Sequence, residues 1–130
     1  MSELLYKELS YKICGLLFET HNNLGRYKNE KQYADYLEGL FKKEAIEYKR
    51  EYKLPQAFKE EKEGRNICDF IIEGKMVLEL KTKTFLDKDD YFQVKRYLSS
   101  SNLQLGILVN FRRKYITPKR ILNNKNKLVD

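Results

Sequence analysis

Three charged residues stand where the sequence otherwise reads as buried strand. Asp69 lies in Ile67-Cys68-Asp69-Phe70-Ile71-Ile72, and Glu79 and Lys81 lie in Met76-Val77-Leu78-Glu79-Leu80-Lys81. Charge in an apolar strand is costly unless an opposite charge or a metal ion compensates it. Two carboxylates offer the hard oxygen ligands that suit Mg²⁺ or Mn²⁺. A lysine beside them can position a water or stabilise a pentavalent phosphate. This is a residue set for metal-dependent hydrolysis of a phosphodiester. A plainer reading stands next to it, in which Lys81 pairs with Glu79 or Asp69 as a strand-end ion pair; an E-x-K tripeptide alone is weak evidence. The second carboxylate favours the metal, because two acids held close without a cation repel and raise each other's pKa.

Both acids serve only if they face the same way. Glu79 and Lys81 are two residues apart and share one face of their strand. Residues paired across a hairpin also share a face, so Asp69 opposite Glu79 would complete the set. That pairing leaves an odd loop, Glu73-Gly74-Lys75, with Gly74 or Lys75 at a positive φ. A two-residue turn at Glu73-Gly74 would pair Asp69 with Leu78 and send Glu79 to the opposite face. The chemistry therefore predicts an odd loop or a bulge around Gly74.

The elements that must position this hairpin follow from periodicity. Leu5, Leu9, Ile13, Leu16, Leu17 and Thr20 predict a first helix ending near Asn22-Asn23-Leu24-Gly25 in a left-handed cap. Asn29 is placed to cap a second helix reaching about Glu44, with Tyr33, Tyr36, Leu37, Leu40 and Phe41 as its stripe. Ile46, Tyr48, Arg50, Tyr52 and Leu54 alternate as a half-buried strand. Residues 56–65 are polar and read as an exposed connection. The hairpin strands follow, at about 66–72 and 75–83. Asp87 or Asp89 then caps a third helix to about Ser101, with Tyr91, Val94, Tyr97 and Leu98 inside. The unbroken apolar run at 103–111 suggests a strand covered on both faces, reached by a right-handed crossover. A short strand around Tyr115-Ile116 is expected before Pro118, and then a frayed basic tail. The order helix, helix, strand, strand, strand, helix, strand predicts one α/β (α+β) domain, a mixed sheet flanked by helices.

Further candidates come within reach. Glu30, at the end of the second helix's apolar face, could reach the same metal directly or through water; its plain role is a first-turn acid favoured by the helix dipole. Gln93 and Tyr97 are four apart on the third helix and share a face. They could orient a phosphate or Lys81, or be a helix-edge amide beside a core tyrosine. His21, the lone histidine, reads as a capping or packing residue, and Tyr33 as core. Cys14 and Cys68 read as small buried thiols, and with one histidine they exclude a disulfide framework and a zinc site.

With 130 residues, 42% hydrophobic, ten tyrosines and seven phenylalanines, the chain can bury one real core. The net charge is +7 and unevenly placed. Arg112, Arg113, Lys114, Lys119, Arg120, Lys125 and Lys127 stand against one acid, Asp130, so seven bases minus one acid supply +6 of it. Such a stretch from about residue 112 offers sequence-independent attraction to phosphates, or merely solubilises. The N-terminus shows no signal-peptide pattern and no apolar run reaches membrane-spanning length, which points to the cytoplasm.

Assembled, these residues resemble a known family. Leu24-Gly25-Arg26-Tyr27-Lys28-Asn29-Glu30-Lys31-Gln32-Tyr33 is similar to the signature of the GxxExxY proteins, as are Glu19 to Gly25 and Gly106 to Phe111. That small prokaryotic family belongs to the PD-(D/E)XK nuclease superfamily, and the resemblance runs from about Tyr11 to Ile121. It implies a restriction-endonuclease-like αβββαβ core with an extra N-terminal helix. By motif, Asp69 matches the isolated aspartate, Glu79 and Lys81 the E-x-K pair, Glu30 the helical glutamate, and Gln93 with Tyr97 the Q-x-x-x-Y element. Tyr27 stands where the name-giving glycine is usual, and Cys68 where proline often precedes the aspartate. The resemblance implies a Mg²⁺- or Mn²⁺-dependent nuclease acting on DNA, with RNA open to the same chemistry. Asp69, Glu79 and Glu30 would hold metal, Lys81, Gln93 and Tyr97 would assist, and Arg112, Arg113, Lys114, Lys119 and Arg120 would hold the backbone. A dimer or a partner would supply any sequence specificity. The competing reading is a catalytically silent nucleic-acid-binding or protein-interaction module on the same fold.

Overall fold

A computed structural model describes residues 5–123. Eight elements follow one another: α1 (Lys7–Leu24), α2 (Glu30–Lys43), β1 (Tyr48–Lys53), β2 (Ile67–Ile72), β3 (Met76–Lys81), α3 (Lys88–Ser101), β4 (Leu105–Asn110) and β5 (Lys119–Leu122). The strands lie in sequence order in one five-stranded sheet, with β3 in the middle. All neighbours are antiparallel except β3 and β4, the pair joined through α3. This mixed α+β architecture is consistent with the restriction-endonuclease-like fold.

Local chemistry sets the helix ends. The Asn29 side chain accepts from Gln32 N while the Gln32 side chain accepts from Asn29 N, a capping box that starts α2. Asp87 and Asp90 do the same for α3, which ends at Asn102 in the left-handed region. The cap of α1 differs from expectation. Gly25 has φ 78 and ψ −159, outside the left-handed helical well and in a region only glycine occupies readily.

The helices cover opposite faces of the sheet. Ile13, Leu17, Tyr33, Leu37 and Phe41 of α1 and α2 pack on Phe70, Ile72, Leu78, Leu80, Ile107 and Val109. Val94, Tyr97 and Leu98 of α3 pack on Cys68, Ile71, Val77, Leu108 and Ile121. Along β3, Met76, Leu78 and Leu80 join the first cluster and Val77 the second, so alternation puts Glu79 and Lys81 on the α3 face. Gly106 lets α3 approach this closely, since a Cβ there would sit 2.6 Å from Val94 Cγ1.

Two features differ from the sequence reading. The last strand follows Pro118 instead of preceding it. Ile116 is buried and anchors the connection, and Pro118 stands just before the edge strand, where its missing N–H breaks no ladder bond. Residues 112–118 thus lie in the β4–β5 connection and 119–122 form the edge strand of the sheet; Lys125, Lys127 and Asp130 lie outside the described residues. The second feature is a kink between β1 and β2. Arg50 pairs with Phe70 and Tyr52 with Cys68, yet Glu51 has φ 48 and the rung it would form with Asp69 is missing. Across that gap the packing switches face: Tyr48 and Phe70 meet the α1–α2 cluster, Tyr52 and Cys68 the α3 cluster. No described helix is long and apolar enough to cross a membrane.

Candidate active site

The hairpin of β2 and β3 has the odd loop. Ile72 pairs with Met76, Ile71 with Val77 and Phe70 with Leu78, leaving Glu73-Gly74-Lys75 between them. The positive φ values fall on Glu73 (55°) and Gly74 (63°), not on Lys75. Glu73 tolerates this because Glu47 holds it: Glu73 N donates to Glu47 O, and Glu47 N donates to the Glu73 carboxylate. Continuing this register sets Asp69 opposite Glu79.

At that rung side chains replace the backbone ladder. Asp69 N donates to Glu79 Oε1 at 3.1 Å, and Leu80 N donates to Asp69 Oδ2 at 2.7 Å. Each carboxylate takes the place of a peptide carbonyl across the strand gap. The missing Glu51–Asp69 rung on the other side completes the separation. A non-glycine residue in the left-handed region costs about 1–3 kcal/mol, and here it sits beside the one aspartate in the strand.

Lys81 is held by several partners. Its Nζ lies 3.8 Å from Glu79 Oε2 and 3.9 Å from Asp90 Oδ1, and donates to Gln93 Oε1 at 2.6 Å. Asp90 is buried and also binds Lys83 Nζ at 2.9 Å. The sequence reading did not single out Asp90. Its signal was the spacing 90, 93, 94, 97 on α3, one face of a helix. Asn110 was also overlooked. It shares a rung with Lys81 and binds both main-chain groups of Lys83, with Lys83 N donating to Oδ1 and Nδ2 donating to Lys83 O. That clamp bends the chain away after Lys81.

Glu30 arrives from the other side. The Tyr33 ring stacks on Phe111 at 4.2 Å, and its hydroxyl donates to Gly25 O at 2.5 Å and accepts from Lys28 N. This locks the α1–α2 connection and sets Glu30 as the first residue of α2. Glu30 is exposed, yet its carboxyl pKa is raised by partial burial, then by Asp69, and is lowered by Lys81 and the Thr82 main chain. It therefore shares the field of the acid pair. Tyr97 is buried in the α3 cluster, and its hydroxyl pKa is raised by burial first and then by Glu79 and Asp69.

The acid pair is electrostatically expensive. Burial, and then the charge of Asp69, pushes Glu79 up to about 8. Asp69 is raised too, by burial, against the Leu80 amide and Lys81. Burial and the same two acids push the Cys68 thiol up to about 12, so it is inert. Cys14 is half-buried and also free.

The donor chemistry fits a hard divalent cation. Half-buried Asp69 and buried Glu79 face each other, and each accepts an amide with one oxygen, leaving the other for a ligand. Among the described residues, no three acidic, histidine or cysteine side chains converge to hold an ion by themselves. One or two carboxylates, with water and phosphate oxygens completing the sphere, is the usual arrangement for Mg²⁺.

The basic residues divide. Arg112 Nε donates to Arg26 O and Arg26 Nε to Arg112 O, each at 3.0 Å, with both guanidiniums over the Tyr27 ring. Arg113, Lys114 and Lys119 are exposed. His21 Nε2 donates to Arg113 O at 2.9 Å and its ring stacks near Phe111, a packing role. Arg120 is committed elsewhere: it donates to Ser10 Oγ and Leu5 O and ties β5 to α1.

No match to the chain is found among curated proteins or among solved structures. The profile of one family does match, over residues 7–121. The matched span runs from the first residue of α1 into β5 and includes the strands that hold Asp69, Glu79 and Lys81. The chain belongs to the PD-(D/E)XK nuclease superfamily.

Proposed function

We propose that this chain is a Mg²⁺- or Mn²⁺-dependent nuclease hydrolysing phosphodiester bonds of DNA, with RNA open to the same chemistry, and that within the superfamily it is a GxxExxY protein. One observation carries the reading: Asp69 and Glu79 meet across the strand gap with the Lys81 ammonium 3.8 Å from Glu79. Asp69 and Glu79 would hold the cation, assisted by Glu30. Such a cation, when bound, supplies an activated water and neutralises charge on the scissile phosphate. Lys81 lies between Glu79 and Asp90 and donates to Gln93, so it is poised to steer the water and to counter charge gained in the transition state. Tyr97, with its proton held tightly, serves as a donor and packing wall, not as a base. Arg112, Arg113, Lys114 and Lys119 attract the phosphate backbone. The reading places the protein in the cytoplasm, and a homodimer or partner would supply sequence specificity.

A second reading has one observation in its favour. Both carboxylates already accept main-chain amides, which is also how a catalytically silent nucleic-acid-binding module would stabilise them. Labelled single- and double-stranded DNA and RNA separate the two, incubated with Mg²⁺, Mn²⁺ or EDTA. Wild type is expected to cleave only with metal. Glu79→Ala and Lys81→Ala are each expected to lose cleavage by about 10²–10³-fold while still binding in EDTA. Binding without metal-dependent cleavage on every substrate would leave only the module.

A further inference from the structure

The end of the sheet that bears the acid–lysine set also presents open aromatic rings. A cleft of about 280 Å³ between the β3–α3 connection, α3 and the β4–β5 connection is lined by Phe85, Leu86, Tyr91, Asn110, Arg113 and Lys119. Phe85 is 69% exposed, and the Arg113 guanidinium lies 5.7 Å from its ring centroid. The His21 bond to Arg113 O fixes the turn that presents this arginine. Asn110 shares a rung with Lys81, and Tyr91 follows Asp90, so the cleft adjoins the acid–lysine set. On the α2 side, Tyr27 is 77% exposed, with Arg26 and Arg112 5.3 and 5.9 Å from its ring centroid and Glu30 three residues on. Neither Arg26 nor Arg112 is ion-paired with a described acid, and their reciprocal main-chain bonds hold both beside the ring.

Guanidiniums attract the phosphates of any nucleic acid, but an open ring discriminates. In a duplex the base faces are already stacked on one another; only unpaired bases offer a face to a tyrosine or phenylalanine. Two aromatic platforms, each with arginine, flank one hydrolytic site. We infer that the substrate is single-stranded nucleic acid, with bases stacked on Phe85 and Tyr27 on either side of the phosphate presented to Lys81. This rests on the nuclease reading above and names its substrate class.

The test measures binding in EDTA by fluorescence anisotropy, so it does not depend on turnover. The probes are labelled oligothymidylate, the matching oligothymidylate–oligoadenylate duplex, an abasic strand of equal length, and oligouridylate. Wild type is expected to bind oligothymidylate about tenfold more tightly than the duplex. Phe85→Ala and Tyr27→Ala are each expected to lose about tenfold on the single strand, the scale of one lost base stack, and little on the duplex or abasic strand. Phe85→Tyr and Tyr27→Phe should retain binding. Equal affinity for duplex and single strand, or equal losses on all probes, would overturn the inference. Oligouridylate bound like oligothymidylate supports stacking on either sugar. Cleavage of the same probes with Mg²⁺ then separates the two claims. Stacking without cleavage removes the nuclease reading alone, and cleavage preferring duplex removes the single-strand inference alone.

Discussion

Glu79 is the residue on which the charge balance of the site turns. Burial and Asp69 raise its pKa from 4.5 to about 8, and Asp69 is raised with it. A carboxyl that binds its proton more tightly in the fold contributes its stability in full below the unfolded value. That stability is lost as pH rises through the folded one. The Tm of the metal-free protein is therefore expected to fall between about pH 4.5 and 8 by scanning calorimetry, and to fall less in Glu79→Gln. Adding Mg²⁺ is expected to recover the loss at the alkaline end, because a cation offsets the same repulsion. A Tm insensitive to Mg²⁺ would remove Asp69 and Glu79 as its binding pair. These two acids and Lys81 were legible because charge inside an apolar strand stands out in any sequence. Asp90 and Asn110 were not, because each has an ordinary local explanation, a capping acid and a strand-end amide. Only the fold shows that both meet the lysines at the end of β3.

At the level of elements, α3 matters most, since it delivers Asp90 and Gln93 to the lysine and sets Tyr97 in the field of the two acids. Its distance from the sheet is set by Gly106, where a Cβ would come within 2.6 Å of Val94 Cγ1. A valine side chain is stiff, so the helix as a whole must yield. Gly106→Ala is expected to cost about 1–3 kcal/mol in urea denaturation, the usual range for overpacking. Cleavage should fall as Gln93 is drawn from Lys81. The double variant Gly106→Ala/Val94→Ala should regain part of both. If Gly106→Ala is as stable as wild type, the close approach of α3 is not what the fold depends on. The helices and inner strands were readable because each carries an amphipathic or continuous apolar pattern that tertiary packing then obeys. The strand at Lys119–Leu122 was not, since it is short, charged and at the edge, and exists only through pairing with β4. The kink at Glu51 has no sequence signal at all, because nothing local asks a glutamate to adopt φ 48.

Across the whole molecule, the charge total says little until each cation's partners are known. Arg120 counts toward the net +7, but its guanidinium is spent on Ser10 and Leu5. Arg113, Lys114 and Lys119 stay open to solvent. Affinity for an oligonucleotide in EDTA is expected to fall linearly with log salt. Arg113→Ala, Lys114→Ala and Lys119→Ala should each reduce the slope by about 0.9 or less. Arg120→Ala should leave the slope unchanged and lower Tm instead; a changed slope with an unchanged Tm would place that arginine on the nucleic acid. Composition foretold a basic surface, and only the fold divides it into solvent-exposed cations and structurally committed ones. The middle position of β3 has a further consequence, for adaptability. A strand flanked on both sides and covered on both faces is the last part of a domain to move, so Glu79 and Lys81 form a fixed anvil. If the proposed nuclease site is right, adjustment to differently shaped substrates falls to the two connections around it, the one carrying Tyr27 and the one carrying Phe85. Precision and tolerance are thereby assigned to different stretches of the chain, and the connections can diversify without disturbing the reacting groups.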